Sequence, residues 1–410
     1  MGTKNFYIYG IDGVYNYGCE ATVRAISKLL RQKYPTCKVY YKTPNYQMDN
    51  RALSDCGDVI VSPLEYKNYK NSVSAFFAKA VRHIKKRFKI LAKPEKLLNF
   101  TTDWIDKGDS LIIVGGDIFN FLPSQEKPHK YYTNDRIWLS MVAKNKGAKV
   151  FIWGLSAGPF DSNPQAKSLI MNYFNTYVDK IIVRENSTYE YLKTNGVKNI
   201  VFCSDPAFSV RTITSTGDST INTLGINLSP LANRYLGKTY TEEEWIDIWT
   251  DIIVRTMSRL SFQKVVLLPH VVNEQTPDDD DLSYLKKIYD NLKNKHIDVD
   301  IVDNDPGFIG IKEKITQCSL VMAARMHCAV NAITCSVPTV FLSYSTKSIG
   351  MCKHVYKDGF WVFDMRGLID NSSDEKLDSL VLLLKETKDY LAVRSQELCI
   401  DAQSAVQYIE

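Results

Sequence analysis

Short runs of β-branched and aromatic residues, most of them closed by Gly, Asp, Ser or Asn, alternate along this chain with helix-length stretches. That alternation leaves little choice of fold. "NFYIYG", "SLIIVGGD", "KVFIWGLSAG", "KIIVRENS" and "NIVFCSDP" form one series, and "TLGINLS", "KVVLLPH", "DVDIVDN", "SLVMAAR" and "PTVFLSYS" form a second. Strands that are apolar throughout are buried on both faces, and helix-length connections make successive strands parallel, so each series implies a parallel sheet of βα units. Between them "SVRTITSTGDSTIN", 209–222, is rich in Ser, Thr and Gly and reads as a linker. A chain of 410 residues also exceeds one ordinary core. The expected architecture is α/β, with two Rossmann-like, doubly wound domains facing a cleft. Their expected bounds are 1–210 and 223–375, with a linker at 211–222. C-terminal helices over 376–410 follow, with helical patterns near 375–387 and 388–408.

Composition narrows the function classes. A net charge of +5 suits anionic small ligands and falls short of a nucleic-acid footprint, so no nucleic acid is expected as a partner. No apolar stretch is long enough to span a bilayer, and "MGTKNFYIYG" lacks the pattern of an export signal. Nine cysteines, scattered through core-like segments with no C-x-x-C pair, read as reduced thiols of a cytoplasmic protein. The sixth residue is Phe6, which breaks the myristoylation pattern that Gly2 would open.

One segment differs from the rest. Over 72–93, Val73, Phe76, Phe77, Val81, Ile84, Phe88 and Leu91 share a helical stripe, and Lys79, Arg82, Lys85, Lys86, Lys89 and Lys93 occupy the opposite face. Such a basic amphipathic helix either packs on a core or lies on an anionic membrane surface, here the inner face of the cytoplasmic membrane.

The candidate functional residues stand where strands end. "GIDGVYNYGCEA", 10–21, is a glycine-bearing loop opening a helix, and it offers Asn16 and Glu20 to a sugar or anion. Glu20 has a second reading, as a charge favouring its own helix dipole. "VGGD" presents Asp117, which tight-turn glycines alone do not explain. Arg184 follows the strand "KIIV", where its planar fork suits carboxylate or phosphate; an ion pair with Glu185 or Asp205 is the alternative. "SLVMAA" reads as a strand and "HCAVNAITC" as the start of a helix, so Arg325 and His327 fall on the turn between them. Lys347 in "LSYSTKSIG" offers a further cation, and His270 closes "LLPH". The run Asp278 to Asp281 reads as a helix start, and no spacing of His, Asp and Glu demands a metal.

The order of "NYGCEA", "VGGD", "GLSAGP", "VRENSTYEYLKTNGV", "CSDPAF", "GINLS", "LLPH", "ARMHCAVNAITCSVP" and "SYSTKSIG" resembles that of the polysaccharide pyruvyl transferases, over about residues 8 to 350. The resemblance implies a GT-B-like fold. It also implies transfer of pyruvate from phosphoenolpyruvate to two sugar hydroxyls, forming a cyclic ketal and releasing phosphate, with no cofactor beyond that donor. The acceptor would be a capsule, cell-wall or exopolysaccharide precursor, including a lipid-linked one. It further implies that Arg184, Arg325 and His327 bind or activate phosphoenolpyruvate; Lys347, read from its place after a strand and not from the resemblance, would be an additional phosphate contact. The family usually has aspartate where this chain has Cys19, which leaves Asn16 and Glu20 for the acceptor.

The chemistry asks for the same residues independently. A donor with a carboxylate and a phosphate needs several cations. Protonating its methylene carbon needs an acid titrating near neutrality, for which His327 comes first and His270 second. Asp117 or Glu20 would take a hydroxyl proton. Two other readings share the scaffold, a GT-B glycosyltransferase using a nucleotide sugar and a non-catalytic sugar- or phosphate-binding protein.

Overall fold

The computed structural model describes residues 4–67, 94–116, 118–119, 134–211, 222–237, 239–344 and 347–410. The chain divides into two compact units, one of Met1–Gly13, Thr22–Asp205 and Ser404–Glu410, the other of Val14–Ala21 and Pro206–Gln403.

The first unit is built on seven parallel strands: β1 (Asn5–Tyr9), β2 (Lys38–Thr43), β3 (Ile60–Pro63), β4 (Ser110–Val114), β5 (Lys149–Leu155), β6 (Lys180–Val183) and β7 (Ile200–Phe202). Their order is β3-β2-β1-β4-β5-β6-β7, every pairing parallel. The second unit has β8 (Thr223–Asn227), β9 (Lys264–Leu267), β10 (Val299–Ile301), β11 (Leu320–Ala323), β12 (Thr339–Ser343) and β13 (Val362–Asp364). These run in the order β10-β9-β8-β11-β12-β13, again all parallel. Both sheets reverse direction beside their first strand, which is the Rossmann arrangement. β4, β8, β11 and β12 are buried along their whole length, as continuous apolar runs require.

Three strands escape the sequence pattern. β2, "KVYYKT", carries lysine at both ends of its apolar middle; β3 and β13 are sheet-edge strands whose faces are only partly covered. The two expected C-terminal helical patterns are one 31-residue helix, Asp374–Ser404, because no Gly or Pro interrupts it. Beyond it the chain returns to the first unit, where Lys33 Nζ donates to the carbonyls of Val406, Gln407 and Ile409. Most of the expected linker and the whole of the basic segment 72–93 lie outside the described residues. Among the described residues no helix is long and apolar enough to cross a membrane.

Candidate functional site

In a doubly wound sheet, ligands gather where the strand order reverses, at the carboxyl ends of the strands. In the second unit that point lies between β8 and β11, and the turn after β11 carries Arg325. Asn227, the fully buried last residue of β8, fixes this turn. Its carbonyl accepts the Ala324 N–H at 3.0 Å and its Oδ1 accepts the Arg325 N–H at 2.8 Å. The following helix, Met326–Thr334, begins one residue before His327, so the histidine stands in its first turn rather than ahead of it.

Arg325 is held from below by carboxylates. Its Nε donates to Asp281 Oδ1 at 3.0 Å, and its Nη2 donates to Asp281 Oδ1 at 2.8 Å and to Asp279 Oδ1 at 2.7 Å. Burial works against the cation, but Asp281 and Asp279 overcome it and leave the guanidinium harder to deprotonate than usual. Asp281 is fully buried and also accepts the N–H groups of His270 and Val271 and the Asn227 amide. Burial pushes its pKa up, while Arg325 and the His270 N–H pull it back. Most of the Arg325 fork therefore serves the fold. Among the described residues no hydrogen bond uses Nη1, which leaves that amino group for a ligand. The aspartate run thus has two tasks. Asp280 caps the helix Asp281–Asn294 by accepting from the N–H groups of Leu282 and Ser283, as a helix start should, while its neighbours hold Arg325.

The glycine-bearing loop belongs to this unit as well. The Tyr17 N–H donates to the His270 carbonyl at 2.9 Å, the Val272 N–H to the Tyr15 carbonyl at 3.0 Å, and the Tyr17 hydroxyl to Asp305 at 2.6 Å. Gly18 has a specific reason to lack a side chain, because a Cβ there would collide with the Nδ1 edge of the His327 ring. Asn16 Oδ1 accepts the Gly18 N–H at 2.9 Å and shapes the turn; among the described residues its Nδ2 makes no hydrogen bond. Glu20 is not placed to meet an acceptor. It is 3% exposed, and its Oε2 accepts the Phe308 N–H at 2.8 Å, against Gly307, where φ is +70° and a side chain would strike the carboxylate. It stands in the first turn of its own helix, Tyr17–Lys33, as one reading of the sequence had it, and its carboxylate also serves the Phe308 N–H of the short helix Gly307–Gly310.

His270 is also displaced from its expected role as an acid. It is 1% exposed, its Nδ1 faces the Leu268 carbonyl at 3.3 Å, and its Nε2 lies 3.4 Å from Asn331 Nδ2. Burial pushes its pKa down to about 3, with nearby His327, Lys312 and Arg325 adding to the effect. A neutral, enclosed imidazole has no proton to give at physiological pH.

In the first unit Arg184 directly follows β6. Its Nη1 pairs with Asp205 at 2.7 Å and its Nε donates to Ser156 at 2.8 Å, all three side chains being buried. The ion pair with Asp205, one of the two alternatives the sequence left open, is therefore made. A Cβ on Gly116 would overlap the Arg184 guanidinium, so the glycine of "VGGD" is there to admit that side chain. Gly158, at φ +86°, likewise lies against the Tyr191 ring, whose hydroxyl takes the Phe160 N–H at 2.8 Å. Four motifs read separately in the sequence are one packed arrangement. Asp117 and the side chain of Lys347 lie outside the described residues; Lys347 opens the helix Lys347–Tyr356.

Asn227, Asp281, Lys312 and Asn331 were not singled out in the sequence as site residues. Asn227 and Asn331 had a readable signal, a polar residue inside an apolar strand or helix run. Lys312 in "IGIKEKI" had none, because one more lysine in a charged stretch looks like surface. Among the described residues no group of three or more His, Cys, Asp or Glu side chains is placed to hold a metal ion.

Paired Rossmann-like sheets with a cationic turn and a histidine at a switch point define a scaffold suited to phosphorylated ligands. The chain belongs to the polysaccharide pyruvyl transferase family, whose model matches residues 16–346. It is 26% identical over 321 residues to the amylovoran biosynthesis protein AmsJ of Erwinia amylovora, covering 74% of this chain and 73% of that one. Among solved structures it is similar to UDP-GlcNAc 2-epimerase from Neisseria meningitidis bound to UDP-GlcNAc, with TM-score 0.56, 10% identity, and 99% and 98% of the two chains covered. A mutant of TarM from S. aureus in complex with fondaparinux, alpha-GlcNAc-glycerol and UDP gives TM-score 0.55, 11% identity and 99% coverage of both chains. These two likenesses concern the fold alone, and the fold is the GT-B-like pair of Rossmann-like domains expected from the sequence.

Proposed function

We propose that this chain transfers pyruvate from phosphoenolpyruvate to two hydroxyls of one sugar in a polysaccharide or cell-envelope glycan precursor, forming a cyclic ketal and releasing phosphate. The observation that carries the reading is the family match over 16–346, which spans His327 at the first turn of its helix and Arg325 beside it. That helix has no side-chain cap, so its positive end and Arg325 Nη1 together favour an anion. Arg184 and Lys347 are further candidates for the donor's two anionic groups, and Asn16 for the acceptor.

The reaction balances as follows. His327 gives a proton to the methylene carbon of the enol, and the positive centre so formed at C2 is attacked by one sugar hydroxyl. That hydroxyl's proton restores His327. The C2–O bond to phosphate then breaks, the second hydroxyl closes the ketal, and its proton leaves with the phosphate. A general acid of this kind contributes about 10²–10⁴-fold. No step calls on a metal or a further cofactor.

Thermal unfolding in the presence of phosphoenolpyruvate is expected to shift upward, and nucleotide sugars are expected to leave it unchanged. Candidate lipid-linked sugars incubated with phosphoenolpyruvate should gain the mass of a pyruvate ketal. A shift with UDP-sugars alone, and no such gain, would replace this reading with a glycosyltransferase.

The segment 72–93 extends the reading to a membrane-borne acceptor. Its roots are joined, since Tyr66 bridges Phe100, Lys67 N–H donates to the Asn99 carbonyl at 2.8 Å, and Lys67 Nζ donates to the Glu95 carbonyl at 2.6 Å. The basic amphipathic pattern between them would then dock the enzyme on the cytoplasmic leaflet. Changing Lys85, Lys86 and Lys89 to Glu is expected to abolish sedimentation with anionic vesicles, each basic residue near such a surface being worth about 1 kcal/mol. Equal sedimentation of both proteins would remove the membrane from the proposal.

A further inference from the structure

Beneath the turn that carries His327 runs a buried polar chain that joins His270 and Asn331 to Lys312, a residue outside the motifs discussed above. Lys312, in the short helix Lys312–Ile315, is 1% exposed, and among the described residues no carboxylate pairs with it. Its ammonium donates to Asn331 Oδ1 at 2.6 Å and Thr334 Oγ1 at 2.5 Å, and lies 4.7 Å from the centre of the Phe308 ring. Burial pushes its pKa down to about 8. A cation buried without a counter-ion opposes folding, and an apolar residue would pack the same space without that penalty. Packing alone therefore does not account for lysine at this position.

The partners of Lys312 impose a direction. An ammonium only donates, so it must face Oδ1 of Asn331. That turns the Asn331 NH2 toward the Phe308 carbonyl, at 3.0 Å, and toward His270 Nε2. Nε2 must then accept, and Nδ1 must carry the proton toward the Leu268 carbonyl. Both ends of this chain grip the loop that bounds His327. The His270 carbonyl accepts the Tyr17 N–H and its ring lies 5.5 Å from that of Tyr17, while the Phe308 N–H donates to Glu20. Between Tyr17 and Glu20 sits Gly18, the residue against which the His327 ring packs.

We propose that Lys312, Asn331 and His270 form a donor-ordered relay that positions His327, its direction set by the Lys312 ammonium at one end and by the Phe308 and Leu268 carbonyls along it. The catalytic consequence rests on the reading of His327 as proton donor; the geometry does not. Lys312 touches no substrate in this scheme and acts as a positioning residue.

The test uses the full chain with ¹⁵N-labelled histidine. Wild type is expected to show His270 with Nδ1 protonated and Nε2 bare. Lys312→Met is expected to shift the His270 and His327 ring signals, leaving exposed His296 in place as the internal control. Asn331→Asp puts an acceptor opposite Nε2, so His270 is expected to take a proton there at neutral pH. In turnover with phosphoenolpyruvate and a competent acceptor, Lys312→Met is expected to lower kcat about tenfold or more, with KM for phosphoenolpyruvate unchanged, as for a misplaced catalytic group. His270 and His327 signals that match wild type in both variants would overturn the proposal. If Lys312→Met does not fold, Asn331→Asp decides alone. Failure of the pyruvyl-transfer reading would remove only the kinetic arm, and the histidine spectra would still test the relay.

Discussion

His327→Ala is expected to lower phosphate release from phosphoenolpyruvate plus acceptor by about 10²–10⁴-fold, the share a positioned acid contributes. Thermal unfolding should stay at the wild-type temperature, because the residue is half-buried at a helix start and the helix is pinned elsewhere. Asn227 ties the preceding turn, and Lys312 holds Asn331 and Thr334 further along. The size of the effect follows from the shortage of alternatives among the histidines at this switch point. His270 is enclosed and neutral, so it cannot take over the proton. Wild-type turnover in His327→Ala would exclude that residue as the acid.

Asp281→Ala is expected to destabilise the second unit by about 3–5 kcal/mol, read as a lowered urea midpoint. The carboxylate is fully buried and accepts from Arg325, from two backbone N–H groups and from Asn227. Its removal strands those donors and leaves Arg325 with Asp279 as its one remaining carboxylate among the described residues. Asp279→Asn is the control. Its side chain is 34% exposed, so water replaces part of what is lost and the change should stay below about 1 kcal/mol. Equal effects from the two substitutions would mean that the buried pair does not organise the switch point.

Much of the fold was legible because burial on both faces writes itself into the sequence as unbroken apolar runs. Strands β4, β5, β6, β8, β9, β11 and β12 are such runs, and the turns that follow them carry most of the residues discussed. Strands β2, β3 and β13 were not legible. A strand bounded by lysines or exposed at a sheet edge has no reason to be apolar throughout. The site was legible in its residue types and less so in their duties. Arg184, Arg325 and Glu20 were rightly seen as charges at strand or helix ends, but each has a buried partner close to it in space and distant or unmarked in sequence.

From sequence alone follow the class of fold, the family and the small set of polar residues at the strand ends, because periodicity and local motif are properties of neighbouring residues. Pairing across the chain decided the rest. Gly18 is glycine because of His327, Gly116 because of Arg184, and Gly307 because of Glu20. The charge of Arg325 is divided by aspartates more than forty residues away, and His270 is neutral because the chain closes over it. Whether an ionisable group is clamp, acid or support depends on what removes its water and what replaces it, and only the folded chain supplies those neighbours.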